Sequence, residues 1–266
     1  MVGQADVTAW RPTVPGLREV FHARFGDHAY PRHTHDAWTL LIVDEGAVRY
    51  DLDRHEHGAL GTMVTLLPPD VAHDGRSVRP RGFRKRVLYL DRELIGDELI
   101  GRAVDHPDHA DPMLRDRIDL LHTTLATRGE PLEAESRLAL IVDRLQGRLV
   151  LGSGPNRPPA PRPGLAGTLR DLLDARLPDD IGLAEAAARL HAHPVHLVRA
   201  FTREIGMPPH RYLIGRRIDL ARGYLLAGHG PAEAAALSGF YDQSHLARHL
   251  RRMIGVPPRR YARGPA

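Results

Sequence analysis

The chain repeats itself, and that limits its last third to very few folds. HLVRAFTREIGMPPHRY, residues 196–212, returns 49 residues later as HLARHLRRMIGVPPRRY, residues 245–261. His, Leu, two Arg, Ile, Gly, both Pro, Arg and Tyr recur in place. A repeat of this length is one supersecondary unit used twice. The spacing predicts helix, tight turn, helix in each copy. In the second, PAEAAALS gives a short helix and Gly239 the turn, since glycine takes positive φ at little cost. Asp242 is the expected cap of the next helix, with Leu246, Leu250 and Met253 as its buried stripe. Gly255 and Pro257-Pro258 end it. In the first, LAEAAARL leads, His193 caps, Pro194 takes the first helical position and Leu197 and Phe201 face inward.

Removing the buried stripes leaves Gln243, Ser244, Ala247, Arg248 and Arg251 on one exposed helix face, and Val195, Val198, Arg199 and Thr202 on the other. These residue types suit the DNA major groove. Arg pairs with guanine and Gln with adenine through two hydrogen bonds, and Val or Ala meets a thymine methyl. The charge agrees. Residues 165–266 hold 15 Arg against 9 acidic residues, a net +6, while residues 1–164 carry −2. A basic segment of this kind points to a polyanion partner.

Residues 165–263 resemble the DNA-binding domain of the AraC/XylS family of transcription regulators. GFYDQSHLARHLRRMIGVPPRRY is very similar to that family's most distinctive signature. The resemblance implies two helix-turn-helix units joined by a long helix, here PPHRYLIGRRIDLARGYLLAG, with both recognition helices in successive major grooves. Carried over by position, Val195, Val198 and Arg199 read bases from the first helix, and Gln243, Ser244, Ala247 and Arg248 from the second. The first unit departs from the pattern. His191 stands where the family often has a turn glycine, and His193 where it often has a capping Ser.

Upstream, GSGPNRPPAPRPG (152–164) reads as a Pro/Gly linker stiffened by polyproline II preference. It divides an expected sensory and dimerisation domain, 1–151, from the DNA-binding domain, 165–266. The first part reads as strands: AWTLLIVDEGAVRYDL as two joined near Glu45-Gly46, then GTMVTLLPP and FRKRVLYL. The period then turns helical through Leu114, Ile118, Leu121 and Leu125, and again through Leu138, Ile141, Leu145 and Leu149. Those two stripes can cover the strands or a second subunit, and a homodimer contact is the favoured expectation. The fold class is α+β: a cupin-like β-barrel, helices, then an all-α C-terminal domain.

PRHTHDAW places His33 and His35 at period two, and LPPDVAH supplies His73. Three converging imidazoles are a candidate divalent-metal site. Residues 17–90 also resemble the effector-binding cupin barrel found at the N-terminus of many AraC-type regulators. Metal-binding cupins usually add a Glu after the second His, where Thr39 and Leu40 stand here. The alternative is that His33, His35 and His73, with Trp38, line an effector cavity. DRHEHG (53–58) reads as an exposed hairpin without a function.

The chain lacks cysteine, so disulfides and thiolate metal sites are excluded. No phosphate-binding loop, dinucleotide fingerprint or G-x-S-x-G elbow is present, so an enzyme is not expected. No signal peptide or membrane span is visible, which fits the cytoplasm. The sequence therefore reads as a regulator that binds double-stranded DNA and a small-molecule effector and works with RNA polymerase. The rival is a cupin metalloenzyme with an appended DNA-binding domain.

Overall fold

A computed structural model describes residues 5–26, 28–126, 131–151, 164–179 and 181–261. The expected linker lies outside the described residues except for Gly164. Strands come first: β1 (Asp6–Trp10), β2 (Leu17–Phe25), β3 (Ala29–His33), β4 (Trp38–Glu45), β5 (Ala47–Leu52), β6 (His55–Leu60), β7 (Val64–Leu67), β8 (His73–Ser77) and β9 (Phe83–Leu90). Two short helices, α1 (Arg92–Ile95) and α2 (Ile100–Asp105), and the strand β10 (Asp108–His109) lead to α3 (Pro112–Ala126) and α4 (Pro131–Leu151). The remainder is helical: α5 (Leu165–Arg176), α6 (Leu183–Arg189), α7 (Pro194–Ile205), α8 (Pro209–Leu226), α9 (Pro231–Leu237), α10 (Gln243–Ile254) and α11 (Pro258–Tyr261).

The expected α+β order is thus present, with strands, then helices, then two helix-turn-helix units. The strands pair in two antiparallel sheets, ordered β1-β2-β9-β4-β7-β10 and β3-β8-β5-β6. They face each other across one core and, among the described residues, no ladder closes them into a barrel. Strand β4 shows why its sequence is a continuous apolar run. Leu41 and Val43 point into the core between the sheets, and Leu40 and Ile42 into a second core on the outer face. A strand buried on both faces is apolar at nearly every position; the exception here, Thr39, faces the cavity between the sheets.

Helices α3 and α4 cover that outer face. Leu114, Ile118, Leu121, Leu138, Ile141, Leu145 and Leu149 are all buried there, each worth roughly 1.5–3 kcal/mol. The two stripes are thus consumed within the chain, covering the sheet rather than a second subunit. The exposed apolar residues of these helices are others, among them Met113, Leu120, Leu132 and Leu140. Asp111 accepts from the Leu114 amide at 3.1 Å and receives Arg144 and Arg148, tying the start of α3 to α4.

The two helical units differ in what they pack against. Ala166, Leu169, Ala186, Leu197, Phe201 and Tyr212 form a separate core around α5, α6 and α7. Phe240, Leu246, Leu250 and Ile254 of the second unit instead join the core between the sheets, with Ile218, Ala221 and Leu225 of α8. Ile254 takes the fully buried place expected for Met253, which is only partly buried.

Candidate DNA-reading faces and effector cavity

Each reading helix is set by a turn and a cap. At Gly239 φ is +77°, and a Cβ there would lie 2.1 Å from the Pro178 carbonyl oxygen, so only glycine fits. In the first unit His191 takes the left-handed position itself, at φ +48°. The Asp242 carboxylate accepts from the His245 amide at 2.6 Å, and His193 Nδ1 accepts from the Val195 amide at 3.3 Å. Both expected caps are present.

With Leu197 and Phe201 inward on α7, Val195 and Arg199 are exposed and Val198 is half-buried. With Leu246 and Leu250 inward on α10, Ser244, Arg248 and Arg251 are exposed, and Gln243 and Ala247 are half-buried. Sequence reasoning missed Tyr241. It is 92% exposed directly before the α10 cap, an aromatic side chain that packing does not explain. Its position in a turn between two helices was the available signal.

Between the sheets lies a cavity of about 50 Å³, lined by Tyr30, His33, His35, Tyr50, His73 and Lys85 and closed by Ile218, Asp219 and Ile254. Strand pairing sets His33 opposite His73. His35 lies past the end of β3 yet turns the same way, and its Nε2 is 3.2 Å from His33 Nε2. Burial, reinforced by the neighbouring histidines, lowers the pKa of His33 and His73, the latter to about 3. Lys85 is the only lysine of the chain. Its ammonium lies 4.1 Å from the Tyr30 ring centre, and burial pulls its pKa down to about 7. Trp38 belongs elsewhere. It is fully buried in the outer core and donates from Nε1 to the Arg92 carbonyl at 3.3 Å, so it does not line this cavity. A strand apolar on both faces gives no sequence signal for which face an aromatic takes.

The DNA-binding helices close over the cavity mouth. Arg222, 3% exposed, donates to Glu19 at 2.9 Å, Asp219 at 3.2 Å and the Tyr261 hydroxyl at 2.6 Å. Its guanidinium lies 4.3 Å over the Tyr89 ring. Burial works to lower the Arg222 pKa, but Glu19 and the other partners outweigh it and raise it. Arg216 reaches Asp36 at 3.2 Å, and His35 Nδ1 sits 3.1 Å from Asp219. Outside this seam an open cleft of about 1050 Å³ runs between the halves, with His35, Tyr89 and Asp219 shared by both spaces.

A two-sheet domain with an inner cavity, joined to paired helix-turn-helix units, is the architecture of a ligand-responsive, DNA-binding transcription regulator. Residues 15–142 match the AraC-like ligand binding domain, and residues 186–264 match a helix-turn-helix domain. The chain belongs to the AraC family of transcription regulators. Its fold is that of ToxT from Vibrio cholerae. The strain O395 structure is 11% identical, with TM-score 0.60 over 96% of this chain and 95% of that one. An apo variant from strain SCE256 is 12% identical, with TM-score 0.61 over 99% and 98%. The wild-type protein of that strain, with unsaturated fatty acid bound, is 13% identical, with TM-score 0.58 over 96% and 92%. No curated protein sequence matches the chain significantly. No helix among the described residues is long and apolar enough to cross a membrane.

Proposed function

We propose that Val195, Val198 and Arg199 on α7, and Gln243, Ser244, Ala247, Arg248 and Arg251 on α10, contact DNA, and that an effector bound beside His33, His35 and His73 governs that contact. The observation that carries this reading is the seam. The cavity is closed by Ile218, Asp219 and Ile254, which belong to the DNA-binding helices. A space of about 50 Å³ holds one or two water-sized molecules. A larger effector therefore enters only when α8 and α10 shift. A ligand that prefers one of two arrangements shifts the population toward it. ToxT carries an unsaturated fatty acid in one structure and a naphthalenyl-butenoic acid in another, which supports a small-molecule effector for this chain.

In this reading residues 1–151 sense and dimerise, 152–164 link, and 165–266 bind DNA. The protein works in the cytoplasm, without catalysis, as a homodimer that acts on RNA polymerase. The outer face of α3 and α4, with Leu120 and Leu140, is the dimer contact. The test starts from duplexes selected out of random DNA by the protein. Arg248→Ala should cost about 1–3 kcal/mol at one base position and relax preference there. An equal loss on every sequence would reduce Arg248 to a phosphate contact. Sedimentation equilibrium of the purified chain tests the dimer, and Leu140→Asp should shift it toward monomer.

A further inference from the structure

The chain's only lysine, Lys85, is turned inward. It lies on β9 at period two with Phe83, Val87 and Tyr89, which face the core between the sheets, and it lines the cavity there. Its Nζ stands 4.1 Å from the ring centre of Tyr30 and 5.9 Å from that of Phe21. Among the described residues no carboxylate or hydrogen bond offsets its burial. Burial first, and then the charge of Arg222, pull its pKa down to about 7, so much of it is neutral amine near neutral pH. A position that needed only bulk would be better filled by Leu or Met, which carry no ionisable group.

Two hydroxyls share the space. Tyr30 and Thr34 are buried and line the same cavity, and among the described residues neither the Tyr30 hydroxyl nor Thr34 Oγ1 has a hydrogen-bond partner. Buried polar groups are rarely left so, because each loses its bonds to water and gains none. Burial also pushes the Tyr30 pKa well up, so its O–H remains a donor at physiological pH. The cavity thus offers one nucleophilic nitrogen and two donors that lack an acceptor. Its volume of about 50 Å³ admits only a short molecule unless α8 and α10 move. A neutral amine holds a carboxylate weakly but adds readily to a carbonyl carbon. A lysine desolvated beside another cation is a usual way to obtain such an amine.

Resting on the regulator reading and deepening it, we propose that the effector is a short aldehyde with a second oxygen, held as an imine on Lys85 Nζ. The Nζ lone pair adds to the carbonyl carbon while the carbonyl π pair moves to oxygen. A proton passes from nitrogen to that oxygen, giving a carbinolamine. The carbon–oxygen bond then breaks with its electrons on the hydroxyl, which takes a second proton from nitrogen and departs as water. Amine and aldehyde thus give imine and water, and no oxidant or reductant is needed. The Tyr30 and Thr34 hydroxyls donate to the second oxygen and select for it. Water reverses the reaction, so the signal ends when the aldehyde is consumed. The bound carbon chain presses on Ile218 and Ile254, which close the cavity from the DNA-binding half.

The test uses the full-length protein and glycolaldehyde, with cyanoborohydride to reduce the imine to a stable secondary amine. Peptide mapping by mass should place one hydroxyethyl group on Lys85, at a rate that saturates with aldehyde concentration. The α-amino terminus is the internal control, and its rate should rise linearly. Acetaldehyde should label Lys85 roughly tenfold less efficiently, because it leaves both hydroxyls unpaired. Tyr30→Phe should narrow that gap, and Thr34→Val replaces it if it unfolds, as circular dichroism will show. Glycolaldehyde alone should change affinity for a duplex selected from random DNA, and Lys85→Met should remove the change. Three results overturn the proposal: no adduct at Lys85, an adduct that forms linearly like the terminal one, or a Lys85 adduct with DNA affinity unmoved. The first two are read on the unmutated protein, so no variant has to fold for them. A carboxylate compound that shifts DNA affinity in protein whose Lys85 forms no adduct would remove this inference and leave the regulator reading standing.

Discussion

The two helix-turn-helix units share a sequence pattern but not a neighbourhood. The first is built on its own core with α5, which Ala72, just before β8, also joins. The second shares its core with the sheets through Phe240, Leu246, Leu250 and Ile254, and α11 adds Tyr261 to the Arg222 cluster. Their turns differ too. Four residues separate α6 from α7, and five separate α9 from α10. Two copies of one repeat can therefore differ in their surroundings: the second unit packs into the core around the cavity, whereas the first meets the N-terminal part through contacts such as Arg54 with the Arg203 carbonyl.

The largest test of that contrast is Glu19→Ala. It leaves Arg222 buried without its strongest partner and should cost about 3–5 kcal/mol in denaturant unfolding. The second unit and the sheets should loosen together. A cost near zero would mean that the seam does not couple them. Next come Leu250→Ala and Leu197→Ala, each expected to cost about 2–5 kcal/mol. Their reach should differ. Hydrogen exchange should rise in β3 and β9 for Leu250→Ala, and stay within α5–α7 for Leu197→Ala. Smaller still, Asp242→Ala should cost about 1 kcal/mol, whereas His193→Ala, with its longer contact, should cost a few tenths. Equal losses would show that the caps are equivalent.

The smallest effect is on pH. His28 Nε2 lies 3.3 Å from the Met253 carbonyl, at the contact between sheets and second unit. Burial lowers its pKa below 6.5, more than that contact raises it. The unfolded chain therefore binds a proton there before the folded chain does. Stability is full above about pH 6.5 and falls as pH drops below it. The urea midpoint should decline as pH falls below about 6.5, and His28→Gln should lessen the decline. An unchanged slope would detach His28 from the contact.

Much of this was legible before any coordinates. The repeat, the caps, the turn at Gly239 and the strained place of His191 are local, and local chemistry is written in consecutive residues. The convergence of His33, His35 and His73 was legible because strand periodicity and barrel-like pairing bring those segments together. The seam was not. Glu19 and Arg222 are 203 residues apart, and nothing in either segment marks the other. Periodicity also revealed the apolar faces of α3 and α4 without saying what covers them. It is the sheet. For Trp38 the failure was symmetry, since β4 is apolar on both sides and its neighbours carry no sidedness.

Lys85 has a consequence outside the cavity. Because the chain has no other lysine, every positive side chain it can offer to DNA, histidines aside, is a guanidinium. Guanidinium stays charged far above physiological pH and, unlike an amine, is not neutralised by acyl transfer. The grip on DNA is thus closed to the acetylation chemistry that tunes lysine-rich nucleic-acid binders. Amine-reactive dyes would find only one side chain, and its accessibility would report in real time whether the two halves are open or shut.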